Sequence, residues 1–480
     1  MDFGIVLRVL GLLLLTESAC MIPSLLVSVY YSEGDTMAFL LTILLTAAAG
    51  FILSRFKSEN SVVRYREGFM IVGLGWILAS IFGSFPFLFA GVLDSFTDAL
   101  FETVSGFSTT GASVIKNVEL MPNGILFWRA FTHWLGGMGI LVFTLALLPT
   151  MGMGTMQIFR AESPGPSPDK ITPKLGQTAK MLYAVYSIIT AAQIISLKIA
   201  GMSLFDAVTH TFATVGTGGY STRNASIGAF NSPGIEWITT AFMFICGINF
   251  SLYYDAIHGN FRTLLKDREF RFYAMVVAAA SILITINVSS NVFHNIWQSI
   301  RYAVFHVVSF VTTTGFVTYD YDLWPDFSRV ILFLLLFVGG CAGSTAGALK
   351  NIRILLVLKI IKRELYKLIH PKAVIAIRVG DKAVPEEILQ SVVGFVLLYI
   401  LIFIAGTLIL LTQGMDIISS ASSAASALGN VGPGFGMIGP TFTFADQTAL
   451  CKIVLTALMI LGRLEIYTIF IMVVPSFWDN

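Results

Sequence analysis

The chain has 480 residues, 56% hydrophobic and 12% charged, with a mean hydropathy of +0.80. Soluble domains carry about 25% charged residues, so the composition excludes a water-soluble globular protein and implies an integral membrane protein. A net charge of +2 gives no electrostatic footprint for nucleic acid, and four scattered cysteines (Cys20, Cys246, Cys341, Cys451) argue against a disulfide framework or a zinc site.

Apolar windows of about 20 residues suffice to cross a ~30 Å hydrocarbon core. Ten are expected, near 5–30, 37–55, 68–90, 125–148, 176–200, 234–257, 272–290, 327–361, 388–411 and 450–474. The first is too long for a signal h-region and lacks a strongly basic start, so it reads as a span. Basic residues cluster at Arg55–Arg66, Arg160–Lys180, Arg262–Arg271 and Lys350–Lys382. The positive-inside rule makes those connections cytoplasmic. An even number of spans then puts both termini on the cytoplasmic side.

The opposite connections, 91–124, 201–233, 291–326 and 412–449, are only half polar. Each holds a short apolar piece followed by a Gly/Thr-rich run. That is the pattern of a re-entrant segment, tolerated at membrane depth only where protein buries it or it lines a watery cavity. "DALFETVSGFSTTGAS" (98–113) aligns without a gap on "DAVTHTFATVGTGGYS" (206–221), and "VSFVTTTGF" (308–316) and "SALGNVGPGF" (426–435) continue the series. The shared core is Thr/Asn-x-Gly: Thr109-Thr110-Gly111, Thr217-Gly218-Gly219, Thr313-Thr314-Gly315 and Asn430-Val431-Gly432. Gly216 and Gly434 offer rival phases in the second and fourth copies. The expected fold is all-α and integral to the membrane. Fourfold pseudo-symmetric helix–pore-loop–helix repeats surround one central ion pore, at 67–160, 161–262, 263–370 and 371–480, after an N-terminal helix pair at 1–66.

Four half-helices aimed at one axis would direct the partly negative ends of their dipoles there, and the Gly-bearing strands would offer backbone carbonyls that replace a cation's water shell. Glycine supplies φ values that L-residues avoid. No carboxylate lies in the four cores, which suits a weakly hydrated monovalent ion; a divalent site would want Asp or Glu. Asp98 and Asp206 read as N-caps of their half-helices that could also attract cations to the mouth.

These repeats, with "FETVSGFSTTGAS", "FATVGTGGYST", "TTTGF", "LGNVGPGFG", "GGCAGSTAGALKNIR" and "GRLEIYT", resemble the TrkH family of the Trk/Ktr/HKT superfamily over nearly the whole chain. The resemblance implies a potassium-selective subunit of a bacterial inner-membrane uptake system, with K+ as permeant ion held at the filter residues above. It also implies a homodimer and a cytosolic, nucleotide-binding regulatory ring of the TrkA type. Gly111 stands where some sodium-preferring members carry Ser, which favours potassium. Tyr220, Asn430 and Pro433 depart from a strict potassium-channel signature.

Glycines recur in the last helix of each repeat at Gly139, Gly247, Gly343 and Gly462, at nearly the same distance past the filter glycine. In the third repeat this neighbourhood is "VGGCAGSTAG" (338–347). Gly339, Gly343 and Gly347 fit a GxxxGxxxG helix-packing stripe. However, a helix from Phe327 to Ile361 would be about 52 Å long, too long for one straight crossing. The alternative is an unwound gating loop under the filter built on Gly339, Gly340, Gly343, Ser344, Thr345 and Gly347, which is also what the resemblance implies. Lys350 and Arg353 follow it and could transmit pulls from a cytosolic partner. Arg463, deep in the last span, either pairs with Glu465 or points into the ion path, since buried charge in a membrane normally faces a cavity or a partner.

His133, His210 and His306 stand singly and suggest no metal site. The linker 161–174 and residues 362–385 are the expected docking surfaces for a regulator. No GxxxxGK[ST] loop or paired-acid set points to an enzyme. A symporter coupled to sodium or protons is the competing transport reading, weakened because no membrane-buried carboxylate stands out in the sequence.

Overall fold

The computed structural model describes residues 1–57, 63–139, 175–257, 259–380 and 382–479. The linker 161–174 and the second half of the expected span 125–148 lie outside the described residues.

Helices α1 (Phe3–Cys20) and α2 (Ile22–Tyr31) form one apolar rod broken at Met21, where Pro23 enters the first turn of α2. Helix α3 (Thr36–Ser54) runs back along α1. The first repeat then reads α4 (Tyr65–Phe89), the half-helix α5 (Phe96–Phe107) and α6 (Asn123–Gly137). The second reads α7 (Leu175–Ile199), the half-helix α8 (Leu204–Val215), α9 (Pro233–Cys246) and α10 (Phe250–Ile257). A short α11 (Phe261–Lys266) leads into the third: α12 (Arg268–Asn291), the half-helix α13 (Ile296–Val311), α14 (Asp326–Leu335) and α15 (Asn351–Ile369). A two-residue antiparallel ladder, β1 (Arg378–Val379) with β2 (Lys382–Ala383), precedes the fourth. That repeat comprises α16 (Glu386–Leu411), the half-helix α17 (Ile417–Gly429), α18 (Ala449–Arg463) and α19 (Tyr467–Val473).

Among the described residues six spans are long and apolar enough to cross a membrane, with α1–α2 taken as one, and eight if the pairs α9–α10 and α18–α19 each count as one. This is fewer than the ten expected: the span at 125–148 runs into residues that are not described, and the one at 327–361 is interrupted. The α9–α10 axis turns by 95° and the α18–α19 axis by 112°. The second turn is forced by Glu465 and Ile466, both at positive φ (55° and 48°). The expected span 327–361 is no single helix: it unwinds between α14 and α15. Helix α16 is apolar all round yet buries little of its surface, with Leu397, Leu401 and Leu408 exposed, as a lipid-facing helix should.

The first two half-helices start one turn earlier than the sequence suggests. Ser95 and Ser203 occupy the N-cap positions, and Ser203 Oγ accepts from the Asp206 N–H at 3.0 Å. Asp98 and Asp206 therefore sit in the first turn, not at the cap. Asp98 pairs with Lys452 at 2.6 Å and Asp206 with Arg223 at 3.1 Å, so neither is a bare attractor for cations.

Candidate functional site

The four half-helices end alike. The second residue of each core donates its N–H to the carbonyl five residues back: Thr110 to Ser105 (2.9 Å), Gly218 to Ala213 (2.8 Å), Thr314 to Ser309 (2.8 Å), Val431 to Ser426 (2.9 Å). The first residue bonds three back, and takes left-handed φ: 55° at Thr109, 56° at Thr217, 55° at Thr313 and 54° at Asn430. This is the Schellman helix end, where glycine or asparagine normally occupies the left-handed position. Three β-branched threonines there hold strain of about 1–3 kcal/mol each, the kind that persists only where surrounding structure fixes it.

The third residue of each core is again left-handed, with φ of 82° at Gly111, 77° at Gly219, 76° at Gly315 and 102° at Gly432. Positive φ at the first and third positions departs from an extended strand, in which successive carbonyls alternate sides, and lets them turn toward a common direction. The four segments touch edge to edge. A methyl group on Gly111 would overlap the Gly218 carbonyl, one on Gly219 that of Thr314, one on Gly315 that of Val431, and one on Gly432 that of Thr110. The contacts close a ring in chain order around one axis. Gly219 and Gly432 belong to it; Gly216 packs on the His133 carbonyl and Gly434 on Ile438 and Ser422. Gly218 is a glycine because any side chain would enter the His133 ring.

Hydroxyl groups divide the work. Thr110 and Thr314 brace their own turns through Ser108 (2.7 Å) and Thr312 (2.8 Å). Asn430 donates to Thr110 Oγ1 (3.0 Å) and to the Met459 carbonyl (2.9 Å). Thr217 donates to the Gly216 carbonyl, whereas Thr109 Oγ1 is buried with no partner among the described residues.

On one side the ring opens into a cavity of 160 Å³ lined by all four core glycines. Its cations are matched: Lys116 pairs with Asp446, Arg223 with Asp206, and Arg129 with Glu102 at 2.6 Å. The last pair is buried and was invisible in the sequence. Glu102 also accepts from Ser113 Oγ (3.0 Å) and the Val114 N–H (2.9 Å). Arg129 stacks 3.4 Å over the Tyr220 ring, and the Tyr220 hydroxyl donates to the Glu102 carbonyl at 2.8 Å. His133 donates from Nδ1 to the Gly106 carbonyl (2.7 Å) and accepts the Tyr220 N–H at Nε2 (3.3 Å). Residues far apart in the chain thus fasten the first two core segments together. His133 is structural, as its isolation suggested.

On the other side lies the unwound segment 336–350. The Gly347 N–H donates to Thr313 Oγ1 at 2.7 Å, and the Ala348 N–H to the Gly429 carbonyl at 2.9 Å. The axis therefore runs from this loop through the first, second and third core residues to the cavity. Gly339 bonds Leu349 (2.9 Å) and Cys341 bonds the Gly247 carbonyl (2.8 Å). Ser344 Oγ donates to the Cys341 carbonyl (2.6 Å), the Gly340 carbonyl accepts from the Asn351 N–H (3.0 Å), and Lys350 donates its ammonium to the Ala346 carbonyl. Gly343 is left-handed (φ 71°) and packs against Asn249. The glycines are not a helix-packing stripe, because no helix exists there.

Arg463 ends α18 beneath the ring. It donates to the Thr345 carbonyl (3.0 Å) and to the Gly136 and Gly137 carbonyls at the end of α6 (2.8 Å for Gly137). Its guanidinium so joins the first, third and fourth repeats. It does not pair with Glu465, which bonds Arg353 instead, because the bend after Arg463 turns Glu465 toward α15.

Buried carboxylates also correct the sequence reading. Glu17, Glu102, Glu236 and Glu269 are all under a tenth exposed. Glu102 and Glu236 face arginines, Glu236 at 3.0 Å from Arg301. Both oxygens of Glu17 lack a hydrogen-bond partner among the described residues.

Fold and site together define a polytopic membrane protein in which four pore-loop repeats enclose one axis. Comparison with known proteins identifies the group. The TrkH family profile, described as cation transport protein, matches residues 35–479. The chain is 41% identical over 486 residues to the Trk system potassium uptake protein TrkH of Escherichia coli K12, and 40% identical over 482 residues to that of Halomonas elongata, with both chains covered in full in each case. The crystal structure of the potassium transporter TrkH from Vibrio parahaemolyticus superposes with a TM-score of 0.90 at 37% identity, covering all of both chains. The chain belongs to the TrkH family of cation transport proteins. Its named relatives are transporters.

Proposed function

We propose that this chain is the potassium-selective, ion-translocating subunit of a bacterial Trk-type uptake system, and that ions pass it by gated, channel-like permeation. The observation that carries the reading is the closed ring of four left-handed Thr/Asn-x-Gly cores. Thr109–Gly111, Thr217–Gly219, Thr313–Gly315 and Asn430–Gly432 form the filter, and their carbonyls, with no carboxylate among them, take the place of water around K+. The pore units are 67–160, 161–262, 263–370 and 371–480, with 1–66 as an added pair. In this reading the protein sits in the inner membrane as a homodimer, both termini in the cytoplasm. A nucleotide-binding ring of the TrkA type docks on its basic loops, including 362–385.

Residues Gly339, Gly340, Gly343, Ser344, Thr345 and Gly347 form the gate, with Arg463 as its electrostatic partner. Two unit charges 8 Å apart interact by about 2 kcal/mol at an effective dielectric of 20. Arg463→Ala is therefore expected to raise the single-channel potassium current by about 30-fold, a barrier change of about 2 kcal/mol. An unchanged current in planar bilayers would remove Arg463 from the path.

The purified protein in liposomes under imposed gradients tests the main reading. Passive, downhill potassium flux is the expected result. Uphill potassium movement driven by sodium or protons would establish the symport alternative, which the carboxyl of Glu17, without a hydrogen-bond partner among the described residues, favours.

A further inference from the structure

The loop 336–350 is fastened toward the filter by bonds to Thr313 and Gly429. Its opposite side is held by a residue that the repeat pattern does not single out. Glu269 lies in the first turn of α12, is 8% exposed, and accepts two backbone N–H groups at one oxygen. One comes from Ala342 in the loop (2.7 Å), the other from Ile352 in the first turn of α15 (2.9 Å). Lys350, at the N-cap of α15, makes no side-chain capping bond. Glu269 thus supplies from another helix the anionic cap that this helix start requires, and the same oxygen ties the loop to it.

The connection leading into Glu269 touches the loop as well. The Phe250 N–H, at the start of α10, donates to the Gly343 carbonyl at 3.0 Å. Asp267 caps α12 through the Phe270 N–H at 2.7 Å, which fixes the turn that carries Glu269. Exposed Phe261 and Leu265 lie on the short α11 just before it.

We propose that Glu269 is the latch of the intramembrane loop: its carboxylate keeps Ala342 and Ile352 together, and displacement of α12's first turn releases the loop from the ion path. Glu269 is a positioning residue, acting through the loop and not on the ion. The inference rests on the reading of 336–350 as the gate.

The test uses the full-length protein in liposomes without any regulatory partner, with Cys20, Cys246 and Cys451 replaced by alanine. Cys341, next to Ala342 and 1% exposed, then reports loop release through its rate of reaction with a cationic methanethiosulfonate. Potassium flux is recorded in parallel. Loss of two charge-assisted hydrogen bonds in Glu269→Ala is expected to raise both the Cys341 modification rate and the flux by about tenfold, with single-channel conductance unchanged. Glu269→Gln, which keeps an acceptor oxygen without the charge, is expected to raise both by a smaller factor. An unchanged Cys341 rate in Glu269→Ala overturns the latch. Should that variant fail to fold, an unchanged rate in Glu269→Gln does the same. Faster modification with unchanged flux leaves the latch standing and overturns the gate reading on which it rests. Raised flux with an unchanged Cys341 rate overturns the latch by showing action through another route.

Discussion

Gly219→Ala is expected to abolish potassium transport, with flux falling by at least about 100-fold, equivalent to ~2.7 kcal/mol of barrier. Two effects combine. The residue holds φ at 77°, a region L-residues avoid, and a Cβ there would overlap the Thr314 carbonyl of the neighbouring segment. The backbone must retreat, and the ring opens between the second and third repeats. Gly91→Ala separates the two effects, because Gly91 has φ of 65° with nothing within 4 Å of the added carbon. That control bears the strain without the collision and is expected to transport like the parent. Flux in liposomes, with folding checked by gel filtration, reads the result. Parental flux in Gly219→Ala would remove Gly219 from the filter.

Arg129→Ala is expected to destabilise the protein by about 3–5 kcal/mol, because it leaves the Glu102 carboxylate buried without its counter-charge. Both side chains are at most 5% exposed. The loss reaches the first two core segments directly: Glu102 holds Ser113 and Val114 just beyond Gly111, and Tyr220, under the guanidinium, bonds the Glu102 carbonyl. Thermal unfolding in detergent should show a clear drop in Tm together with lost flux. The double variant Arg129→Met, Glu102→Leu should recover part of the stability, since removing both charges avoids an unpaired buried ion, but not the flux. Equal stability in Arg129→Ala and the parent would show that the pair holds nothing together.

The repeats, the Gly-bearing cores and the site of unwinding were legible because each is a local signal. The third residue of each core is left-handed and meets a neighbouring backbone carbonyl, so a glycine recurs there in all four copies. A crossing of about 52 Å cannot be one straight span, so the interruption at 338–347 shows in length and glycine content together. Gly219 and Gly432, unlike Gly216 and Gly434, meet a core carbonyl of the neighbouring repeat, a contact that no window of sequence shows.

Other readings failed for the same reason in reverse. Asp98 and Asp206 looked like caps because Asp caps helices well, yet Ser95 and Ser203 stand three residues earlier and take that place. Glu465 is two residues from Arg463, and only the 112° bend shows that it faces Arg353 instead. Glu102 and Arg129, or Glu269 and Ala342, are partners no window of sequence can show.

By itself, then, the sequence determined the membrane class, the fourfold repeat and the core glycines whose backbone is left-handed, since hydropathy and local backbone freedom act over a few neighbouring residues. Tertiary structure alone decided how the four cores close on one another, what Arg463 holds, and which carboxylate secures the loop. Those outcomes depend on which buried charge meets which donor across separate helices, and in a low-dielectric interior leaving such a group unpaired is costly.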